Sequence, residues 1–291
     1  MKECESMSLA FTKWQGCGND FVLVDARTIG IPKNVTELSR RVCDRHYGIG
    51  ADGLIFVLHS SVADFCMRIF NADGSEAEMC GNGIRCFARL VYDEGMTEKD
   101  SFSVETGAGI LVPRIVKENG KTVGVEVDMG EPVLEAEHIP VEGFGEERVI
   151  AKNIEVLGEK YQATCVSMGN PHCVVFVGDV DDVEMDKVGP AFERHKWFPK
   201  RTNTEFVVVR DRRHLRMRVW ERGAAVTLAC GTGACASLVA AVLNNLSERS
   251  AEVELDGGRL TITWSEKNNH IYMTGPAQKV FSGVYEEGER C

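Results

Sequence analysis

The chain has 291 residues, 44% of them hydrophobic and 26% charged, a balance that excludes disordered and fibrous classes and predicts a packed core. That length leaves room for two domains. With 33 basic against 44 acidic residues the net charge is −11, which disfavours nucleic acid or an anionic membrane as principal partner and points to a small-molecule ligand.

The opening "MKECESMSLAFTKW" mixes charges, and no apolar run reaches signal-peptide or membrane-spanning length, so a cytoplasmic location is expected. The 11 cysteines are odd in number and sit in a long chain without an export signal, which predicts reduced thiols rather than a disulfide framework. No Cys-x-x-Cys pair occurs, so no metal site is expected.

In chain order, "FVLVDA", "GLIFVL" and "FCMRIF" read as strands, rich in β-branched and aromatic residues and bounded by Gly, Asp and Asn. A helical stretch follows, "IRCFARLVYDEG", apolar on nearly all sides and ending near Gly95. Strands resume with "SFSVET", "GILVPRIV", "VGVEVDM", "YQATCVSM", "HCVVFVG", "EFVVV" and "LRMRVW". A second buried helix, "ACASLVAAVLNNLS", ends near Asn245 and precedes "AEVEL", "RLTITW" and "HIYMTG". Strands outnumber helices, and parallel βαβ alternation is not the evident pattern.

The two helices belong to an internal repeat. "MRIFNADGSEAEMCGNGIRCFARL" (67–90) aligns without gaps on "MRVWERGAAVTLACGTGACASLVA" (217–240), a shift of 217 − 67 = 150. Upstream, "GNDFVLV" pairs with "GNPHCVVFV" at 169 − 18 = 151. The expected fold is α+β: two pseudo-symmetric halves, each a curved or closed antiparallel sheet around a central buried helix that starts at a Cys-Gly-x-Gly turn. The expected boundaries are 1–125 plus 276–291 for the half carrying Cys80 and 126–275 for the half carrying Cys230, with the active site in the cleft between them.

A cysteine at a helix N-terminus lies at the positive end of the peptide dipole, which favours thiolate over thiol, while neighbouring backbone N–H groups can hold a carboxylate. Two such turns facing each other would place a thiolate and a thiol on opposite sides of one α-carbon. The remaining cysteines (Cys4, Cys17, Cys43, Cys66, Cys86, Cys165, Cys173, Cys235 and Cys291) are read as inert packing residues. "GIGADG" matches a dinucleotide fingerprint formally, but no strand precedes it and no helix follows it, so no nucleotide site is assigned.

The motifs "GCGNDFVLVD", "GIGADG", "FNADGSEAEMCGNGIRC", "SMGNPHCVVFV", "WERGAAVTLACGTGACA" and "YMTGPA" together cover nearly the whole chain, and they closely resemble the diaminopimelate epimerase family. The resemblance implies an isomerase of lysine and peptidoglycan-precursor synthesis that interconverts L,L- and meso-diaminopimelate without a cofactor. It implies Cys80 and Cys230 as paired acid and base, and Gly81, Asn82, Gly231 and Thr232 around the reacting carboxylate. Asn19, Asn71, Asn170, Asn203, Glu221 and Arg222 would read the distal amino and carboxylate groups, with His172 a candidate supporting residue behind them. The implied partner is a small diamino dicarboxylate, with no nucleic acid and no membrane; a homodimer stays open. Gly53 stands where some members carry glutamine, and Ala225 and Val226 where others carry Gly and Glu. A racemase of proline, hydroxyproline or histidine, and a phenazine-type relative, are the competing readings.

Overall fold

The computed structural model describes residues 8–286, so Cys4 and Cys291 lie outside it. In chain order the elements are β1 (Ser8–Gly16), β2 (Asn19–Asp25), α1 (Val35–Cys43), β3 (Gly53–Leu58), β4 (Phe65–Asn71), β5 (Glu76–Ala77), α2 (Gly81–Asp93), β6 (Val104–Thr106), β7 (Gly109–Leu111), β8 (Arg114–Glu118) and β9 (Lys121–Asp128). They continue with β10 (Lys152–Val156), β11 (Glu159–Ser167), β12 (Pro171–Phe176), α3 (Met185–Glu193), β13 (Asn203–Asp211), β14 (His214–Glu221), β15 (Ala225–Thr227), α4 (Gly231–Leu243), β16 (Ser250–Leu255), β17 (Gly258–Trp264), β18 (Ile271–Gly275) and β19 (Gln278–Glu286).

The chain forms two compact units, one from the residues up to Val127 with those from Pro276 onward, the other Asp128–Gly275. The first is built on an 8-stranded sheet in the order β19-β1-β2-β3-β4-β6-β7, with β5 beside β4. The second runs β10-β11-β12-β13-β14-β16-β17-β18, with β15 beside β14. Corresponding elements keep the spacing of the repeat: α3 starts at 185 and α1 at 35, α4 at 231 and α2 at 81, each a difference of 150.

The fold class is α+β as expected, with two differences in detail; of the curved and closed alternatives, both sheets are open. Each helix bridges two neighbouring parallel strands, β2 and β3, β4 and β6, β12 and β13, β14 and β16, so these four joints are βαβ units inside otherwise antiparallel sheets. The crossovers escape the sequence pattern because α1 and α3 are short, and α3 carries Gly189 and Pro190, residues that disfavour helix. Finally, "GILVPRIV" divides into β7 and β8 at Pro113, which lacks the N–H a ladder requires.

α2 and α4 are central because their side chains have nowhere to go but inward. α4 packs against β11 to β14 and β16 to β18, and every residue from Gly233 to Ala241 is buried. α2 packs against β1 to β4 and β19. Both end in the same way: the N–H groups of Gly95 and Met96 bond Tyr92 and Val91 carbonyls, and those of Asn245 and Leu246 bond Val242 and Ala241. Gly95 (φ 66°) and Asn245 (φ 58°) supply the left-handed residue this helix stop requires.

Candidate active site

Cys80 and Cys230 are the N-cap residues of α2 and α4. Each is extended (φ −142° and −124°), and each sulfur accepts the N–H of the second glycine in its turn, Gly83 at 3.5 Å and Gly233 at 3.3 Å. That bond explains the second glycine: a Cβ on Gly83 would lie 3.3 Å from the Cys80 Cβ, and one on Gly233 3.2 Å from the Cys230 sulfur and 2.7 Å from Glu205 Oε1. The preceding N–H groups, of Gly81 and Asn82 and of Gly231 and Thr232, belong to the first helical turn, where no intrahelical acceptor exists. They suit a carboxylate.

Around Cys80, the structure gathers Asn19 and Asn82. The thiol donates to Asn19 Oδ1 at 3.8 Å, and Asn82 Nδ2 donates to the same oxygen at 3.0 Å. Asn71 closes β4, with Nδ2 on Ser75 Oγ at 3.0 Å. Asp20, next to Asn19, pairs with buried Lys13 at 2.7 Å and with Arg45 at 2.7 Å. Burial alone would raise the Asp20 pKa, but hydrogen bonds from Arg45 and Lys13 and the Lys13 charge outweigh it and hold the carboxyl at about 2. Because the folded-state value lies below the unfolded one, this contribution is present above pH 4 and disappears as the pH falls toward 2. Asp20→Asn should therefore cost about 1 kcal/mol at neutral pH, allowing for solvent screening, and flatten the acid limb of a stability–pH curve measured by urea unfolding.

Around Cys230, the shell is ionic. His172 is fully buried and bonds Glu205 Oε1 through Nδ1 at 2.7 Å and Asn170 Oδ1 through Nε2 at 3.0 Å. Asn203 Nδ2 donates to the Pro171 carbonyl at 2.8 Å, and its Oδ1 accepts the Arg222 N–H at 2.9 Å. Thr227 Oγ1 donates to Glu221 Oε1, whereas the exposed Arg222 guanidinium donates to the Lys200 carbonyl at 3.1 Å. Glu221 and Arg222 form no ion pair with each other.

Burial pushes the Cys230 thiol well above its ordinary range, the Glu221 and Glu205 charges push it further, and the Thr232 hydroxyl and Gly233 N–H only partly offset them. Desolvation and two carboxylates here act against the pull of the helix end. Burial likewise raises the Glu221 carboxyl, against the Thr227 hydrogen bond.

Registers make the divergence of the halves explicit. Phe21 pairs with Gly53 across β2 and β3, and His172 with Asn203 across β12 and β13. Since 205 − 150 = 55 and 172 − 151 = 21, the buried Glu205–His172 pair occupies the places of Ile55 and Phe21. Gly53 is the counterpart of Asn203, and a Cβ there would meet the Phe70 carbonyl at 3.0 Å and the Phe21 ring at 3.3 Å, so the strand leaves no room for a side chain. Ala225 has φ 60°, a left-handed conformation that costs a Cβ-bearing residue roughly 1 kcal/mol. Ala225→Gly is expected to raise unfolding free energy by up to about 1 kcal/mol in chemical denaturation.

Glu205, Asp52 and Arg85 are structural partners that sequence reasoning passed over. Each left a signal: an acid inside the strand "TEFVVV", an aspartate inside "GADG", and a cation inside an apolar helix.

Two open mixed sheets, each holding a buried helix capped by a cysteine, define the class by its fold: a duplicated two-unit architecture. A hydroxyproline epimerase from Agrobacterium vitis superposes with a TM-score of 0.66 at 14% identity, over 96% of this chain and 92% of that one. A phenazine biosynthesis protein of Bacillus anthracis does so with a TM-score of 0.70 at 20% identity, over 96% and 99%. The profile of the diaminopimelate epimerase family matches residues 11–135 and 164–280. A diaminopimelate epimerase of Moorella thermoacetica is 58% identical over 275 residues, 94% of this chain and 98% of that protein. The chain belongs to the diaminopimelate epimerase family.

Proposed function

We propose that the chain interconverts L,L- and meso-diaminopimelate by a two-base mechanism, a thiolate removing the α-proton and a thiol supplying one, with no cofactor. The observation that carries this reading is the pair of cysteine N-caps at equivalent positions of the repeat, each beside free-facing helix N–H groups. The substrate carboxylate takes the N–H groups of Gly81, Asn82, Gly231 and Thr232, which draws electron density from the α-carbon and makes its proton removable without an electron sink. One sulfur removes the proton from one face while the other sulfur delivers one to the opposite face.

At the distal end, the Arg222 fork suits a carboxylate and Glu221 an ammonium, with Asn19, Asn71, Asn170 and Asn203 completing the set. His172 acts behind them through Asn170 and Glu205. A homodimer is the assembly expected, checked by sedimentation. Exchange of solvent deuterium into the α-position of L,L- and meso-diaminopimelate, under reductant, tests the reading. Interconversion with exchange is expected; exchange into proline or histidine but into neither diaminopimelate isomer would move the assignment to another amino acid.

A further inference from the structure

The hydrogen bonds beside Cys80 run in one direction. Arg85, whose buried guanidinium has donors only, gives one to Asn82 Oδ1 at 2.8 Å. Asn82 therefore turns its Nδ2 to Asn19 Oδ1, at 3.0 Å. Asn19 in turn directs its own Nδ2 to Asp52 Oδ2, at 2.6 Å. The Asp52 carboxylate accepts only, and it is held by the Asp20 N–H at 3.0 Å and by Arg45 at 2.8 Å.

With a pure donor at one end and a pure acceptor at the other, the two amides between them have one orientation that satisfies all three bonds. Reversing Asn19 would set NH2 against the Asn82 NH2 and a carbonyl oxygen against the Asp52 carboxylate. The permitted orientation aims Asn19 Oδ1, not its N–H, at the Cys80 sulfur 3.8 Å away. We propose that Asp52 and Arg85 are positioning residues that, through Asn19 and Asn82, fix a carbonyl oxygen beside Cys80, favouring its thiol and withholding a donor from its thiolate.

The other half lacks this relay. At a shift of 150 the counterparts of Asp52, Asn82 and Arg85 are Thr202, Thr232 and Cys235, and the Cys230 sulfur lies against the Thr232 hydroxyl at 3.5 Å and the Glu221 carboxyl. A hydroxyl rotates to donate or accept, whereas the Asn19 amide is locked. Cys80 thus has a fixed amide acceptor, whereas the set around Cys230 includes a hydroxyl that can turn to either state of the sulfur. Removing the lock lets Asn19 turn its N–H to a forming thiolate, which lowers the cost of ionising Cys80.

The inference rests on Cys80 as an acid–base group, but its test does not use turnover, so failure of one is distinguishable from failure of the other. In reduced, substrate-free protein at fixed pH, alkylation of Cys80 by iodoacetamide is followed on the tryptic peptide ending at Arg85. Wild type, Asp52→Ala, Asn19→Ala and the double variant are compared. Asp52→Ala is expected to speed alkylation about threefold or more, and to have no effect once Asn19 is alanine. Equal acceleration in both backgrounds would assign the effect to the lost charge, and no acceleration in either would show that Asp52 does not hold Asn19; both overturn the proposal. Should Asp52→Ala not fold, the 15N–1H spectrum of wild type decides: a downfield, exchange-protected Asn19 side-chain amide is expected, and a freely exchanging one contradicts the lock.

Discussion

Cys80→Ala and Cys230→Ala are each expected to lower kcat for epimerisation by about 10³-fold or more, with the fold intact. Each variant removes one of the two groups that exchange the α-proton. The cost to stability should stay within about 1 kcal/mol, because a sulfur N-cap bonding a glycine N–H at 3.3–3.5 Å is a weak cap. Thermal unfolding run beside the exchange assay separates the two effects. Full activity in either variant would remove the two-thiol mechanism, whereas loss in only one would leave a one-base reaction with water on the other face.

Glu205→Ala is expected to destabilise the protein by about 3 kcal/mol, because the buried His172 Nδ1 loses its hydrogen-bond partner and the missing carboxylate leaves a cavity. His172 and Glu205 both have 0% side-chain exposure, so no water replaces the lost carboxylate. The repeat supplies an unusual control. Because the first half carries Phe21 and Ile55 at these places, the double variant His172→Phe/Glu205→Ile should regain most of the lost stability in a urea-unfolding cycle. Activity should not return with it. Loss of the Glu205 charge would also lower the Cys230 thiol pKa, and loss of His172 would release Asn170. If the double variant were as unstable as the single one, the two halves would not share the packing their registers imply.

What could be seen in the sequence was set by what repeats. The cysteine turns, Asn71 opposite Glu221 and the helix ends at Gly95 and Asn245 were visible because two copies in register are hard to obtain by accident. Glu205 was not, since its partner is 33 residues away and becomes a neighbour only through the parallel pairing of β12 with β13. The βαβ joints were missed for the same reason: parallel pairing is a property of distant strands, while the local pattern shows only strand after strand. At Cys230 a helix end is visible in a motif, whereas the two carboxylates that oppose it arrive from β13 and β14 and are not.

The pairing of β1 with β19, from Ser8 opposite Glu286 to Gln15 opposite Gln278, makes the first unit discontinuous in the chain. During synthesis the second unit is complete before the first can be, even though the first begins earlier. Until Gln278–Glu286 leaves the ribosome, β1 waits with an open edge and an apolar face, the kind of intermediate that aggregates or swaps strands. The half that is made first is therefore finished last, and the order of translation runs against the order of assembly.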